Sequence, residues 1–433
     1  MVTALFAGTS ILATGLLKLP IATASGESTT WLEALFTATS AVCINGLVVL
    51  DTGTHWSVFG QVVIAIGIQI GGLGIMTLAT VLALAVSGRL GLLGRLVLRE
   101  ESKTLSMTDV RRVARDVVVF SLVCELIVAV VLTVRLMAGY GEPFGRSVYS
   151  GVFHAISAFN NAGFALWPDS MMRFSGDPWV TITVALAVIV GGLGFPVIFE
   201  LLRSWRRPAR WSVLTRLTLW VTAALLVIGT VVLLIAERAN PHTLGPMETP
   251  DKLLAAFFAA VMPRTAGFNM IDISAMRSES WMFMDILMFI GGGSAGTSGG
   301  IKVTTFGLLA FVLWAELRGD AQVKLGRRAI PPLVQRQAIA IALFSAGVVA
   351  VSTFLVLSMT HFTLDRVLFE VVSAFGTTGL STGITAQLPP AAHVLVVVLM
   401  FVGRVGPLTV GSALALRERT RHYKLPEERP IVG

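Results

Sequence analysis

The sequence predicts an all-α polytopic membrane protein with four pseudo-repeats arranged around a common axis. Its 433 residues are 55% hydrophobic and only 13% charged, with a mean hydropathy of +0.80, whereas a soluble domain carries about 25% charged residues. Apolar runs recur that are long enough to cross a hydrocarbon core of about 30 Å. A short motif also recurs along the chain. These observations exclude water-soluble classes, including nucleic-acid binders, despite the basic pI of about 10.1.

The recurring motif is a phenylalanine followed ten residues later by a glycine. It occurs at Phe36–Gly46, Phe153–Gly163, Phe257–Gly267 and Phe369–Gly379. Three of the four copies carry Ser-Ala midway, at Ser40-Ala41, Ser157-Ala158 and Ser373-Ala374. Internal repetition of this kind indicates one structural unit used several times.

Each repeat is predicted to contain a long apolar helix, an outer loop, a short helix that ends in the glycine turn, and a second long helix. The short helices are predicted at Trp31–Val42, Val148–Asn160, Lys252–Met262 and Leu364–Phe375. The long ones are predicted at Val2–Leu19, Val58–Val86, Val113–Met137, Trp179–Leu202, Leu214–Ile235, Trp281–Leu317, Gln335–Met359 and His393–Leu416.

About a dozen residues are too few to span a bilayer, so the short helices are interpreted as re-entrant pore helices. Non-helical backbone at membrane depth is tolerated only where protein buries it or where it lines a cavity. The predicted architecture is therefore eight transmembrane helices and four re-entrant pore helices around a central ion pore. The repeats are assigned to residues 1–88, 89–204, 205–320 and 321–433, the last with a cytoplasmic tail.

Basic residues predict the orientation. Most of the 33 lysines and arginines lie in the segments 87–116, 203–216 and 317–336 and in the tail from residue 417 onward. The positive-inside bias makes these segments cytoplasmic, which places both termini inside and the glycine turns toward the outside. The N-terminus shows no cleavable signal pattern. We therefore expect a multi-pass protein of the plasma membrane.

The residues before each glycine are the candidate ion-binding positions. They form four strips: Cys43, Ile44, Asn45 and Gly46; Asn160, Asn161, Ala162 and Gly163; Thr265, Ala266 and Gly267, preceded by Arg264; and Gly376, Thr377, Thr378 and Gly379. Backbone carbonyl groups can replace the hydration shell of a cation without carrying a fixed charge. The strips differ in their side chains, which favours coordination by backbone. Arg264 is interpreted as bracing its strip from behind, with no partner identifiable in the sequence.

A second small-residue cluster follows each glycine turn, and the third one cannot be helical. It comprises Gly291, Gly292, Gly293, Ser294, Ala295, Gly296, Thr297, Ser298, Gly299 and Gly300. Each glycine in a helix costs about 1 kcal/mol relative to alanine, so we interpret this run as a flexible gating loop. A phosphate cradle is the competing interpretation, but no Gly-Lys-Ser/Thr motif follows. The clusters at Gly71–Gly74 and Gly191–Gly194 are instead typical of close helix packing.

Two basic residues lie near this loop at membrane depth. Arg404, in the last long helix, is interpreted as an electrostatic barrier in the pore. Lys302 closes the loop and is either a gating residue or a charge that snorkels toward the membrane surface.

Outer-loop carboxylates complete the candidate site. Asp51, Asp169 and Asp272 follow three of the glycines and could concentrate cations at an outer vestibule, although aspartate in loops is also ordinary turn chemistry. No bound metal is expected beyond the transported ion, because the six histidines lack metal-ligand spacing. Cys43 and Cys124 are predicted to be buried thiols. Nothing in the sequence indicates an enzyme.

Several motifs resemble the Trk/Ktr/HKT potassium-transporter superfamily, and the likeness covers essentially the whole chain. They are Thr54-His55-Trp56, Phe159–Phe164, Arg264–Asn269 and Gly379–Gly383. The chain is similar to its KtrB-type membrane subunits. The resemblance implies a potassium pore with K⁺ as substrate, a homodimer, and a cytosolic ring of nucleotide-binding regulatory subunits. It also implies that the third-repeat loop gates and that Arg404 helps to close the pore.

The resemblance bears on selectivity too. It implies potassium over sodium, because Gly46 stands where sodium-selective members have serine. Na⁺ is a possible activator, and no cofactor bound by this chain is expected. Asn45 departs from the threonine that the superfamily leads us to expect.

Two other classes remain open on the sequence alone. A secondary carrier, coupled to Na⁺ or H⁺, would be expected to show inverted repeats, whereas these four run in one orientation. A non-conducting membrane assembly subunit would use the four turns only structurally.

Overall fold

The computed structural model describes residues 2–90, 107–320, 322–325 and 328–416. Its helices are α1 (Val2–Leu17), α2 (Trp31–Val42), α3 (Val58–Leu90), α4 (Met107–Tyr140), α5 (Phe144–Phe159), α6 (Pro178–Leu193), α7 (Phe195–Ser204), α8 (Val213–Glu237), α9 (Thr249–Val261), α10 (Ser278–Phe289), α11 (Val303–Arg318), α12 (Pro332–Met359), α13 (Leu364–Gly376) and α14 (Pro390–Leu416). Two short strands, β1 (Lys324–Leu325) and β2 (Arg328–Ala329), pair antiparallel.

Each quarter of the chain contains the predicted succession of a long helix, a short helix and a second long helix. We call α1, α4, α8 and α12 the outer helices, α2, α5, α9 and α13 the pore helices, and α3, α6–α7, α10–α11 and α14 the inner helices. The first pore helix begins at a capping box, in which Thr30 Oγ1 accepts a hydrogen bond from Glu33 N and Thr30 N donates to Glu33 Oε2. Such a cap satisfies backbone groups that the helix itself leaves unpaired. The first short helix therefore has the bounds predicted from the sequence.

The four quarters pack in a cyclic order. Each inner helix contacts the pore helix of the next quarter: α3 packs on α5, α6 on α9, α10 on α13, and α14 on α2. The last contact joins the end of the chain to its beginning. The pore helices are therefore enclosed by protein. In α13, for example, every residue from Phe369 to Gly376 is buried.

Small residues on the inner helices make this packing possible. A Cβ at Gly71, Gly191 or Gly403 would collide with the carbonyl oxygen of Val42, Phe159 or Phe375 respectively. Each of these carbonyls lies in the last turn of a pore helix. The packing interpretation of the first two glycine clusters agrees with these contacts, and Gly403 has the same role in the fourth quarter.

Two inner helices are interrupted. In the third quarter, residues 290–302 separate α10 from α11, in agreement with the predicted break. The prediction of one continuous helix at Trp179–Leu202 is wrong, because α6 ends at Leu193 and α7 leaves it at an angle of 100°. Gly194 lies at the bend with φ of +92°, a backbone conformation that glycine adopts at little cost.

Among the described residues, three helices are individually long and apolar enough to cross a membrane: Arg111–Tyr140, Val213–Glu237 and Pro332–Met359. The bent pair α6–α7 would make a fourth. The count of eight spans and the repeat boundaries stay predictions. The basic residues Arg95, Arg99 and Lys103 and the basic tail from Arg417 lie outside the described residues.

Candidate functional site: four glycine strips around one axis

The four strips share one backbone conformation. Each central glycine has a positive φ: +90° at Gly46, +72° at Gly163, +71° at Gly267 and +88° at Gly379. The residue two positions earlier also has a positive φ: 54° at Ile44, 59° at Asn161, 71° at Thr265 and 52° at Thr377. Side chains other than glycine adopt this region rarely. The four strips therefore share a left-handed backbone conformation at the same two positions.

The glycines also bring the strips into a closed ring. A Cβ added at Gly46 would lie 2.5 Å from the carbonyl oxygen of Ala162, and one at Gly163 would lie 2.8 Å from that of Ala266. At Gly267 it would lie 2.6 Å from the Thr378 carbonyl oxygen, and at Gly379 it would collide with that of Asn45. Each strip thus touches the next, and the fourth touches the first. All four lie at the carboxyl ends of pore helices, whose partial negative charge favours a cation.

The midway serines hold the strips in place. Ser40 Oγ donates to the Leu47 carbonyl at 2.7 Å and accepts from Gly46 N at 3.1 Å. Ser157 Oγ donates to Phe164 O at 2.8 Å, and Ser373 Oγ accepts from Gly379 N at 3.1 Å. The repeated Ser-Ala signal therefore has a structural cause. The third strip lacks this serine.

The first strip is tied to the fourth pore helix by Asn45. Its Nδ2 donates to the carbonyl oxygen of Ala374 at 2.9 Å, and its Oδ1 accepts from Leu47 N at 3.2 Å. The side chain is fully buried. It therefore bridges two quarters behind the ring, which is the role that the sequence could not assign.

Arg264 has a partner on the outer helix of its own quarter. Its Nη2 donates to Thr222 Oγ1 on α8 at 3.1 Å, and the side chain is 7% exposed. Arg264 also lines a small cavity of about 10 Å³. This position agrees with the interpretation that Arg264 braces the third strip from behind.

The outer face of the ring opens into a vestibule of about 240 Å³. All four glycines line it, together with Asp51 and Asp272. The Oδ1 atoms of these aspartates accept hydrogen bonds within their own turns, from Thr54 N and from Ser274 N. Both aspartates therefore stabilise their own turns and also lie at the mouth of the ring.

Asp169 is differently placed. It does not line the vestibule, and its carboxylate forms an ion pair with Arg173 at 2.7 Å. Burial raises the pKa of Asp169, but the hydrogen bonds and charge of Arg173 outweigh it, so the pKa lies below its usual value. The structure therefore separates Asp169 from the two aspartates with which it was grouped.

The glycine-rich loop, residues 290–302, lies against the inner helix of the second quarter and against the fourth strip. Gly293 N donates to Gly192 O at 2.7 Å, and Thr297 N donates to Gly191 O at 3.2 Å. A Cβ at Gly299 would collide with the Thr377 side chain. The loop therefore has little room for side chains. The hydrogen bonds that join it to the second quarter are few and run between backbone groups.

Both basic side chains that are candidates for gating contact this loop. Arg404 Nη1 donates to Thr297 O, and Lys302 Nζ donates to Ser298 O. Arg404 is 3% exposed, and among the described residues its Nε and Nη2 have no hydrogen-bond partner. Because Lys302 points back to the loop, its contact does not favour the snorkelling interpretation. The two side chains hold adjacent carbonyl groups of one short segment.

The sequence reasoning missed the buried carboxyl groups, two of which support the strips. Glu370, inside the fourth pore helix, accepts hydrogen bonds from Thr382 N at 2.9 Å and Thr385 Oγ1 at 2.8 Å. Glu125 lies in the apolar run of α4 and contacts the second strip. Their signal was present, because an ionisable residue within a membrane-depth segment is rare and usually functional.

Within the described ranges, no group of three or more His, Cys, Asp or Glu side chains is arranged to hold a metal ion. Cys43 and Cys124 are free thiols; Cys43 is buried and Cys124 is partly buried. The polar features of the site are therefore backbone carbonyls, hydroxyls and amides, the basic side chains of Arg404 and Lys302, and the carboxylates at its mouth.

Comparison with known proteins finds relatives along nearly the whole chain. The family described as TrkH, cation transport protein, matches residues 8–417. Ktr system potassium uptake protein B of Bacillus subtilis (strain 168) is 41% identical over 425 residues, covering 98% of this chain and 94% of that protein. Potassium/sodium uptake protein NtpJ of Enterococcus hirae is 35% identical over 425 residues, covering 96% of this chain and 93% of that protein.

A solved structure shares the fold. The potassium transporter TrkH from Vibrio parahaemolyticus matches with a TM-score of 0.73 at 18% identity, over 95% of this chain and 83% of that one. The likeness confirms the predicted fold class, a mostly helical membrane protein.

Proposed function

Because the chain belongs to the TrkH family of cation transport proteins, we propose that it takes up potassium across the bacterial plasma membrane as a gated, channel-like subunit. The observation that carries the proposal is the closed ring of four glycine turns with a shared φ pattern. Carbonyl groups of the four strips replace the ion's hydration shell. Relatives named as potassium uptake proteins over nearly the full length support potassium as the ion.

The inward path is closed by the glycine-rich loop in this proposal. Arg404 and Lys302 fix the loop through the carbonyls of Thr297 and Ser298, and their charges oppose the passage of a cation. Opening requires these contacts to break. Deleting residues 294–299 should therefore raise potassium flux, and unchanged flux would contradict a gating role.

The assembly is part of the proposal. We assign the active form as a homodimer in the lipid bilayer, with both termini cytoplasmic, that binds a cytosolic ring of nucleotide-binding regulatory subunits. The name of the Bacillus relative, a protein of a Ktr system, supports a multi-subunit transporter. Light scattering of the purified protein in detergent, with its lipid and detergent content subtracted, tests the dimer.

Sodium is proposed as an activator rather than as the main substrate. The Enterococcus relative, named for potassium and sodium, makes this distinction worth testing. Potassium uptake is measured with external Na⁺ replaced by choline, and sodium uptake is measured separately. Loss of potassium uptake without Na⁺, at low sodium flux, is the expected result.

The deciding experiment is growth rescue of a potassium-uptake-deficient bacterium at low potassium, with a regulatory subunit supplied. The wild-type chain should rescue growth and Gly379→Asp should not. Gly26→Asp is the matched control, since Gly26 also has a positive φ, of +76°, but no described residue lies close to its Cβ position and it does not line the vestibule. If the wild type fails, or if Gly379→Asp rescues equally, the pore proposal is wrong.

A further inference from the structure

A buried carboxyl group lies behind the second strip, in a position that the pore proposal does not use. Glu125 is 6% exposed and lies midway along α4, one of the helices long and apolar enough to cross a membrane. Among the described residues no lysine or arginine forms an ion pair with it. Burying such a group is costly unless its oxygens accept hydrogen bonds. Its surroundings should therefore reveal what it holds.

Two amide side chains surround the Glu125 carboxyl. Gln69 Nε2 donates to its oxygens at 3.0 and 3.1 Å, and Asn160 Nδ2 donates to Oε1 at 3.0 Å. Asn160 Nδ2 also lies 3.0 Å from Gln69 Oε1. The three residues come from the inner helix of the first quarter, the outer helix of the second, and the start of the second strip. The network therefore joins two quarters at the ring.

Asn160 has little freedom to leave this arrangement. It caps the carboxyl end of α5, and its Nδ2 also donates to Ile156 O at 3.0 Å. On the other side, a Cβ at Gly72 would collide with its Oδ1. Because Asn160 stands three residues before Gly163, the position of its side chain constrains the backbone that forms the strip.

The same position is treated differently in the other quarters. It is Cys43 in the first, Arg264 in the third and Gly376 in the fourth. Arg264 also bonds to the outer helix of its own quarter, through Thr222. Side-chain anchoring to an outer helix thus recurs in the second and third strips, and the second uses a carboxyl group for it.

We propose that Glu125 and Gln69 are positioning residues that fix the Asn160 amide and thereby the second strip, and that this network sets the discrimination between potassium and sodium. The inference rests on the proposed potassium uptake. Anchoring from behind keeps the ring at one diameter, so that carbonyls cannot close around a smaller ion.

The test is a double-mutant cycle in proteoliposomes that contain the purified full-length chain together with a regulatory subunit. The KM for potassium and the ratio of potassium to sodium uptake are measured for the wild type, Glu125→Ala, Asn160→Ala and the double variant. Each single variant should raise KM and lower the ratio by about tenfold, the loss expected for a buried hydrogen bond to a carboxyl group. The double variant should be no worse than either single one, because both remove the same interaction.

Two further variants separate positioning from folding. Glu125→Gln keeps one acceptor oxygen and should be intermediate in both readouts. Glu248→Gln, at an exposed residue of the outer surface, is the matched control and should behave as wild type. Additive effects of Glu125→Ala and Asn160→Ala, or an unchanged ratio in Glu125→Ala, would overturn the inference. A wild type that transports no potassium would instead refute the proposed function.

Discussion

Asn45 Nδ2 donates a hydrogen bond of 2.9 Å to the carbonyl oxygen of Ala374, across a sequence separation of 329 residues. The contact joins the first strip to the last turn of the fourth pore helix. It lies at the seam, the place where the fourth strip meets the first and closes the ring. Its loss should therefore affect the ring more than the loss of an ordinary buried amide hydrogen bond.

Replacing Asn45 by alanine should weaken that seam. The lost hydrogen bond costs about 1 kcal/mol, and the Ala374 carbonyl keeps the bond from Thr377 N but loses its link to the first strip. We expect potassium uptake with a reduced preference over sodium, measured as the ratio of the two fluxes in proteoliposomes. Gln387→Ala, at an exposed amide in the outer loop of the fourth quarter, is the control. Equal ratios in both variants would contradict a role of Asn45 at the seam.

Alanine at Gly379 should abolish selective uptake. The residue would be forced into a left-handed conformation, at about 1–2 kcal/mol, and its Cβ would collide with the Asn45 carbonyl oxygen. Gly383→Ala carries the same conformational cost in open space, so it should lower the melting temperature and leave uptake intact. The comparison separates backbone strain from obstruction of the ring. Equal loss of uptake in both would attribute the effect to strain alone.

Replacing Arg404 by glutamine should raise uptake. The substitution removes the charge and weakens the contact with Thr297 O, so the open arrangement of the loop becomes more populated. Uptake without the regulatory subunit is the measurement, and a several-fold increase is expected. Arg318→Gln, at an exposed arginine beside Trp314, should change nothing. Lower uptake in Arg404→Gln at normal abundance would assign Arg404 a structural role instead.

The vestibule aspartates should affect potassium capture at low ionic strength. Asp51→Asn and Asp272→Asn each remove a negative charge at the mouth, and we expect KM to rise about threefold. The effect should fade in high salt, where exposed charges are screened. Asp169→Asn is the built-in control, because that carboxylate pairs with Arg173 outside the vestibule. A KM change in Asp169→Asn equal to the other two would indicate a general surface effect.

The sequence predicted features that repeat. The bounds of α2 agree with the prediction, and the glycines and preceding strips come together as expected. Periodic patterns of this kind carry their own internal check, since four copies must satisfy one geometry. The break at residues 290–302 was also predictable, because its composition cannot sustain a helix.

Features found in only one quarter were harder to predict. The bend at Gly194 follows a glycine cluster that resembles the one in the uninterrupted helix α3. Pro196, which has no counterpart after Gly74, and the contact with the neighbouring loop distinguish the two. Likewise Glu125, Asn45 and Arg264 acquire their partners through contacts between helices that are distant in sequence. One-dimensional patterns do not encode such pairings.

The cyclic contact of each inner helix with the next pore helix has a consequence for how such a chain can diversify. Because coordination in the proposed pore depends on backbone, the four quarters need only preserve the φ pattern at the ring. Their supporting side chains are free to differ, as Asn45, Glu125, Arg264 and Glu370 do. A single polypeptide can therefore divide labour among its quarters, with anchoring, sealing and movement assigned to different ones. A pore of four identical chains cannot make that division.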